Sequence, residues 1–139
     1  IMDPIYGYQA INVEAQQKSS GSLLHRTKRM IDIRKRHPVF GLGEYVPLEG
    51  DNPAVLAFAR RLDVPGKPEE LVICVNNLSR FPQAVQLRVP APPGSVLREL
   101  TGGVAFPPTT ADFYRLTLSG HGFLWFSVLP SGGPAGEGR

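Results

Sequence analysis

The side chains of this 139-residue sequence that could serve catalysis or metal binding include three histidines and one cysteine. His25, His37 and His121 are far apart in the sequence and do not show the spacing of metal ligands. Cys74 lies in an apolar run without an activating motif, so we expect a buried, inert thiol. These residues give no sign of a catalytic or metal-binding group.

The carboxylates are equally uninformative as a catalytic set. Glu69 and Glu70 stand between two turns, which favours a solvated loop. Asp3 is the only carboxylate in a loop, Ile1 to Ala10, that also carries Tyr6 and Tyr8. Acid–base catalysis on a sugar needs a second carboxylate at a set distance, and this loop has none. The two tyrosines either anchor the loop to the edge of a core or flank a sugar site.

One basic helix, predicted from Ser19 to Pro38, divides the sequence. Ser19, Ser20 and Ser22 are candidate N-caps, and Pro38 ends the helix because it disfavours the α conformation at His37. The predicted apolar stripe of this helix comprises Leu23, Leu24, Met30 and Ile31. A shorter turn of helix is predicted from Ile11 to Gln17, with Asn12 as its cap.

Charge and composition limit the classes of partner. The net charge is +3, and residues 1–40 hold seven Lys and Arg against three carboxylates. No nucleic-acid-binding motif accompanies this basic patch, so we expect a solvated helix face and no nucleic-acid partner. No apolar run approaches the roughly 20 residues of a membrane span, so no membrane partner is expected. The lone cysteine indicates a reducing compartment, and we expect a cytoplasmic protein.

After the helix, short apolar runs alternate with turn signals, which predicts a mainly β fold. The seven predicted strands are Glu44–Leu48, Val55–Leu62, Leu71–Val75, Val85–Val89, Val96–Leu100, Phe113–Leu118 and Phe123–Leu129. Their number and spacing predict an antiparallel β-sandwich over residues 41–130, followed by a disordered tail over 131–139. Trp125 and Phe123 are expected in its core. The alternative is a sugar platform formed by Phe106, Tyr114 and Trp125.

Several motifs together resemble the α-amylase family of glycoside hydrolases. Residues 11–16, 22–24 and 30–41 resemble the end of its catalytic (β/α)8 barrel, where the last loop and eighth helix lead into a C-terminal β-domain. Residues 3–9, 75–83 and 120–126 look like the trehalose synthases of that family, and the resemblance covers nearly all of residues 1–129.

The resemblance implies a supporting role for this segment. Members of the family act by a retaining double displacement, and their catalytic carboxylates and calcium site lie earlier in the barrel. The resemblance therefore implies no catalytic residue, substrate-binding residue, metal ligand or cofactor in this segment, with calcium possible in the missing part of the parent. Residues 1–40 would complete the barrel, and the sequence, which opens inside a motif at Ile1, is expected to be a C-terminal piece.

The parent would interconvert maltose and trehalose by intramolecular transglucosylation. Its expected partners are the rest of the barrel, small sugars, a second copy of the chain and a maltokinase. Two alternatives stay open. The parent could be an α-glucosidase or amylase of the same family, or the β-domain could be a non-catalytic module that binds carbohydrate or docks a partner.

Overall fold

A computed structural model describes residues 5, 7 and 12–131 of the chain. The chain divides into two compact units, Ile1–His37 and Pro38–Arg139. Asp3, Tyr6 and Tyr8, and the predicted tail after Ser131, lie outside the described residues.

Two capped helices make up the described part of the first unit. Helix α1 spans Val13–Lys18, and the Asn12 side chain accepts a hydrogen bond from the Ala15 amide at 2.8 Å. Helix α2 spans Leu23–Arg36, and the Ser22 hydroxyl accepts from the His25 amide at 3.4 Å. The predicted cap at Asn12 is confirmed, and of the three candidate serines Ser22 is the one that caps α2. The helix is therefore shorter at its start than the sequence predicted.

The predicted apolar stripe of α2 is only partly correct. Leu23 is 70% exposed and Ile31 is 46% exposed, whereas Leu24 and Met30 are half-buried. The one buried residue of the helix is Ile33, at 3% exposure. Ile33 follows Met30 by three positions, so the two share a helical face that the predicted stripe missed.

The second unit begins with a four-residue helix, α3 (Val39–Leu42), which the sequence did not predict. Seven strands follow, as predicted: β1 Glu44–Pro47, β2 Val55–Leu62, β3 Glu70–Asn77, β4 Gln83–Leu87, β5 Val96–Glu99, β6 Tyr114–Leu118 and β7 Phe123–Leu129. The bounds of β2 and β7 match the prediction. Asn76 and Asn77 were expected to follow β3 but belong to it.

The strands form two antiparallel sheets. The larger has the order β1-β2-β3-β7-β5, and the smaller pairs β4 with β6. Strand β3 is central and its residues 71–75 are all buried, as its continuous apolar sequence predicted. Alternate residues of the larger sheet, including Ile73 and Phe126, pack with Val85 and Leu116 of the smaller sheet. The predicted antiparallel β-sandwich is confirmed.

The opposite face of the larger sheet carries a second apolar cluster. Val39 of α3 packs there with Val72 and Cys74, and Trp125 and Phe40 lie against them with ring centroids 5.3 Å apart. The expectation that Trp125 lies in the core of the sandwich is thus wrong. Residues 124, 126 and 128 of β7 face the smaller sheet, and because side chains alternate along a strand, Trp125 points the other way. It is half-buried under α3.

Among the described residues, no helix has the length and apolar character needed to cross a membrane.

Candidate functional site

The described histidines have separate structural positions. In the first unit, His25 Nδ1 lies 3.0 Å from both the Ser22 hydroxyl and the Gln16 carbonyl oxygen, and His37 is the C-cap of α2. In the second unit, His121 occupies a turn at φ 52° and donates its backbone N–H to Ser79 O at 2.8 Å. Nowhere in the described part of the chain do three His, Cys, Asp or Glu side chains cluster as metal ligands would.

Cys74 is 2% exposed in the centre of β3. Its burial raises the pKa of the thiol to about 12, outweighing the opposite effect of the nearby Arg60 charge. A thiol that stays protonated and has no access to solvent is a poor nucleophile. The structure therefore confirms that Cys74 is buried and inert.

Glu69 and Glu70 lie in different surroundings. Glu69 Oε1 lies 2.8 Å from Arg61 Nε, an ion pair whose alignment is too poor for a hydrogen bond. Glu70 begins β3 and lies opposite Leu62 of β2. The expected loop thus includes Glu69, whereas Glu70 belongs to the sheet.

Two of the motifs that carried the family resemblance meet at one end of the sandwich. The Asn77 side chain donates hydrogen bonds to Phe81 O at 2.7 Å and to Ser119 O at 2.9 Å, and accepts one from the Ser79 amide at 2.9 Å. A Cβ at Gly120 would lie 2.1 Å from Arg80 O, so only glycine fits there. Side-chain and backbone contacts of these motifs therefore hold together the loop between β3 and β4 and the loop between β6 and β7.

The three aromatic residues considered as a sugar platform do not share a surface. Phe106 packs edge-on against Phe126 between the sheets, with ring centroids 4.9 Å apart. Trp125 lies on the opposite face of the larger sheet, against Phe40 and Phe123. Tyr114 lines an open surface depression.

This depression, here called the Tyr114 groove, has a volume of about 650 Å³. It lies between the end of β1, the connection from β4 to β5, and the segment that leads into β6. Its polar lining residues include Glu49, Arg88 and Asp112, and its apolar ones include Leu48, Pro90 and Tyr114. A smaller depression of about 410 Å³ shares Glu49 and is also lined by Asp51, Gln86 and Phe113.

The sequence did not single out the polar residues of the groove. Glu49, Arg88 and Asp112 come from three separate segments and form no motif, so their proximity depends on the pairing of β4 with β6 and on the fold of the connections. Tyr114 was considered as part of a sugar platform because it is aromatic. The sequence of β6 alone does not predict which residues of other segments lie beside it.

A family model described as the maltogenic amylase C-terminal domain matches residues 45–125, which include all but the first residue of β1, the strands β2 to β6, and the first part of β7. The chain belongs to this family. Curated relatives agree with it. The chain is 54% identical over 128 residues to a trehalose synthase from Pimelobacter sp. and 50% identical over 126 residues to a trehalose synthase/amylase from Mycobacterium tuberculosis.

These matches cover most of this chain but a small part of the relatives. They cover 92% and 91% of the chain, and only 22% and 21% of the two relatives. The chain therefore spans about a fifth of the length of the curated proteins it matches. The predicted resemblance to trehalose synthases of the α-amylase family is confirmed.

Solved structures support the fold. The isomaltulose synthase from Erwinia rhapontici superposes with a TM-score of 0.65 at 23% identity, covering 92% of this chain and 21% of the other. At that identity the likeness shows the fold alone. The superposition agrees with the two antiparallel sheets of the second unit.

Proposed function

We propose that this chain is the C-terminal part of an enzyme that interconverts maltose and trehalose by intramolecular transglucosylation. The supporting observation is the 54% identity, over 92% of the chain, to a protein named trehalose synthase. The reaction class is an isomerisation: a glucosyl unit is released from one linkage and reattached in another within a closed pocket.

In this proposal the chain supports the catalytic barrel and carries no part of the chemistry. The described residues fit such a role, because the Cys74 thiol is buried and the Glu69 carboxylate is engaged by Arg61. A buried free thiol also fits our expectation of a reducing, cytoplasmic environment. The proposed partners are the rest of the barrel, small sugars, a second copy and a maltokinase.

The test uses the full-length protein that contains this chain. It is incubated with maltose and the sugars are separated. Trehalose as the main product supports the proposal. Glucose as the main product would instead support the second candidate, an amylase or α-glucosidase, which the name trehalose synthase/amylase of the M. tuberculosis relative favours.

A second experiment tests the supporting role. The 139-residue chain alone should convert no maltose above a buffer control, because we place the catalytic carboxylates in the preceding barrel. Turnover by the isolated chain would contradict the proposed supporting role.

Docking to a maltokinase is tested separately. If the β-domain docks that partner, the 139-residue chain should be retained with the kinase in a pull-down.

A further inference from the structure

The Tyr114 groove has the size and mixed lining of a ligand site. Its volume of about 650 Å³ lies within the range of small-molecule sites, which are largely apolar with a few convergent polar groups. Leu48, Pro90 and Tyr114 provide the apolar part, and Glu49, Arg88 and Asp112 provide charged groups. This composition suits a ligand with both an apolar face and many hydroxyls.

Tyr114 gives the groove a fixed aromatic side. Its hydroxyl donates a hydrogen bond to Pro107 O at 2.7 Å, and its ring packs partly against the core of the sandwich. Burial raises the pKa of this phenol, so it stays a neutral donor. A ring held in this way offers apolar contact area at little further cost in conformational entropy, because its rotamer is already fixed before a ligand arrives.

Arg88 provides an oriented set of hydrogen-bond donors. Its guanidinium carbon lies over the Phe113 ring, 4.8 Å from the ring centroid, in a cation–π contact. This contact uses no hydrogen-bond donor, so the N–H groups of the guanidinium can donate, and their fork geometry can engage two neighbouring oxygens. No carboxylate of the described residues pairs with Arg88.

Glu49 and Asp112 add acceptors to the same groove. Both are exposed, and neither carboxylate has a salt bridge or hydrogen bond among the described residues. A sugar hydroxyl can donate to a carboxylate and accept from a guanidinium, so this set matches a polyol. Two carboxylates against one guanidinium disfavour an anionic ligand.

We propose that the Tyr114 groove is a carbohydrate-binding site that takes a neutral α-linked glucoside. The choice of an α-glucoside rests on the proposed function. The smaller depression shares Glu49 with the groove and is also lined by Phe113 and Gln86, so a longer glucan reaches a second set of contacts. The site therefore binds maltotriose more tightly than maltose.

The test is a calorimetric titration of the 139-residue chain with maltotriose and with maltose. Saturable binding in the millimolar range, tighter for maltotriose, is expected. The double variant Glu49→Gln, Asp112→Asn should bind maltotriose about tenfold more weakly, the equivalent of about 1.4 kcal/mol. The matched control, Glu44→Gln with Asp63→Asn, changes two exposed carboxylates that do not line the groove and should bind as the wild type does.

Two further variants separate the roles in the groove. Tyr114→Phe keeps the ring but removes the hydroxyl hydrogen bond to Pro107 O that helps to fix it, so maltotriose affinity should fall, but by less than in the double variant. Arg88→Met keeps an apolar side chain over Phe113 and should weaken binding as much as the double variant does. Unchanged thermal unfolding shows that each variant is folded.

The proposal is overturned if the wild-type chain shows no saturable binding, if the control variant loses binding as the groove variant does, or if a glucuronic acid-containing oligosaccharide binds more tightly than maltotriose. Failure of the groove proposal can be distinguished from failure of the proposed function, since the latter is read from the products of the full-length enzyme. Sugar binding without trehalose formation would reject only the proposed reaction. Trehalose formation without sugar binding by this chain would reject only the groove.

Discussion

Cys74 shows how position in the central strand changes the chemistry of one side chain. Because the pKa of the folded thiol is about 12 and its ordinary value is 9.0, the thiolate forms readily only in the unfolded chain. The thiol's contribution to stability is thus complete below about pH 9 and is lost as the pH rises from there towards 12. Stability of the wild type should fall across that window relative to Cys74→Ala, as measured by denaturant unfolding at several pH values.

The same burial predicts a protected thiol. Iodoacetamide at pH 8 should label Cys74 slowly in the native chain and rapidly in denaturant, read by intact mass. Equal labelling rates in both states would contradict the buried position of β3.

Two neighbouring aromatic residues of β7 face opposite sides of the sheet and should differ in their contribution to stability. Phe126 is fully buried between the sheets, so Phe126→Ala should lower the free energy of unfolding by about 3–5 kcal/mol. Trp125 is half-buried against Phe40, so Trp125→Ala should cost less than that, despite the larger side chain. Urea unfolding of both variants measures the difference. A larger loss at Trp125 would place the tryptophan in the core after all.

At the scale of the element, the end of β3 is held by one asparagine side chain. Asn77 is 3% exposed and donates to two carbonyl oxygens from different loops, Phe81 O and Ser119 O. Asn77→Asp removes both donors and turns a carboxylate towards the two carbonyls. The free energy of unfolding should therefore fall by at least about 1–3 kcal/mol, the penalty for unsatisfied buried polar groups. Repulsion between the carboxylate and the two carbonyl oxygens adds to this loss.

Asn76 provides the matched control for that prediction. It is the preceding residue of the same strand, and its side chain makes one exposed hydrogen bond to Leu56 O at 3.3 Å. Asn76→Asp should change the free energy of unfolding by less than about 1 kcal/mol. Thermal or urea unfolding of the two variants compares them directly, and equal costs would show that the two loops do not depend on Asn77.

The sequence predicted the elements well where one physical signal dominates. Strand β3 was found because its continuous apolar run has no competing interpretation, and α1 because an asparagine cap precedes it. Helix α3 was missed because Gly41 and Gly43 lower helix propensity, whereas the packing of Val39 against Val72 and Cys74 favours it. The extent of β3 was underestimated because the Asn77 side chain is satisfied in part by Ser119 O, which is 42 positions away in the sequence.

At the scale of the whole molecule, the resemblance predicted the family and the fold class, but not which surface carries a groove. The face on which Trp125 lies depends on the register of β7 against β3, where Trp125 pairs with Cys74. The Tyr114 groove depends on connections between strands rather than on the strands themselves. Such features arise from tertiary packing, which periodicity alone does not specify.

The division of the chain gives a final prediction about independent folding. We expected the sandwich to begin at residue 41, whereas the contacts within the chain group Pro38 onwards as one unit. Val39 is fully buried in the cluster with Val72 and Cys74, and the Gly43 amide donates to Val39 O at 2.9 Å. A fragment of residues 38–131 should therefore unfold cooperatively and be more stable than one of residues 43–131.

The free energies of unfolding of the two fragments should differ by about 2–3 kcal/mol or more. Removing α3 takes away a buried valine and the half-buried Phe40 that packs on Trp125. Limited proteolysis of the 139-residue chain provides the independent check. Ile33 is the only buried residue of α1 and α2, and helices of this length are marginal without packing, so cleavage should occur in the first unit before the sandwich is cut. Equal stability of the two fragments would mean that α3 does not stabilise the sandwich, which would then begin at the strands.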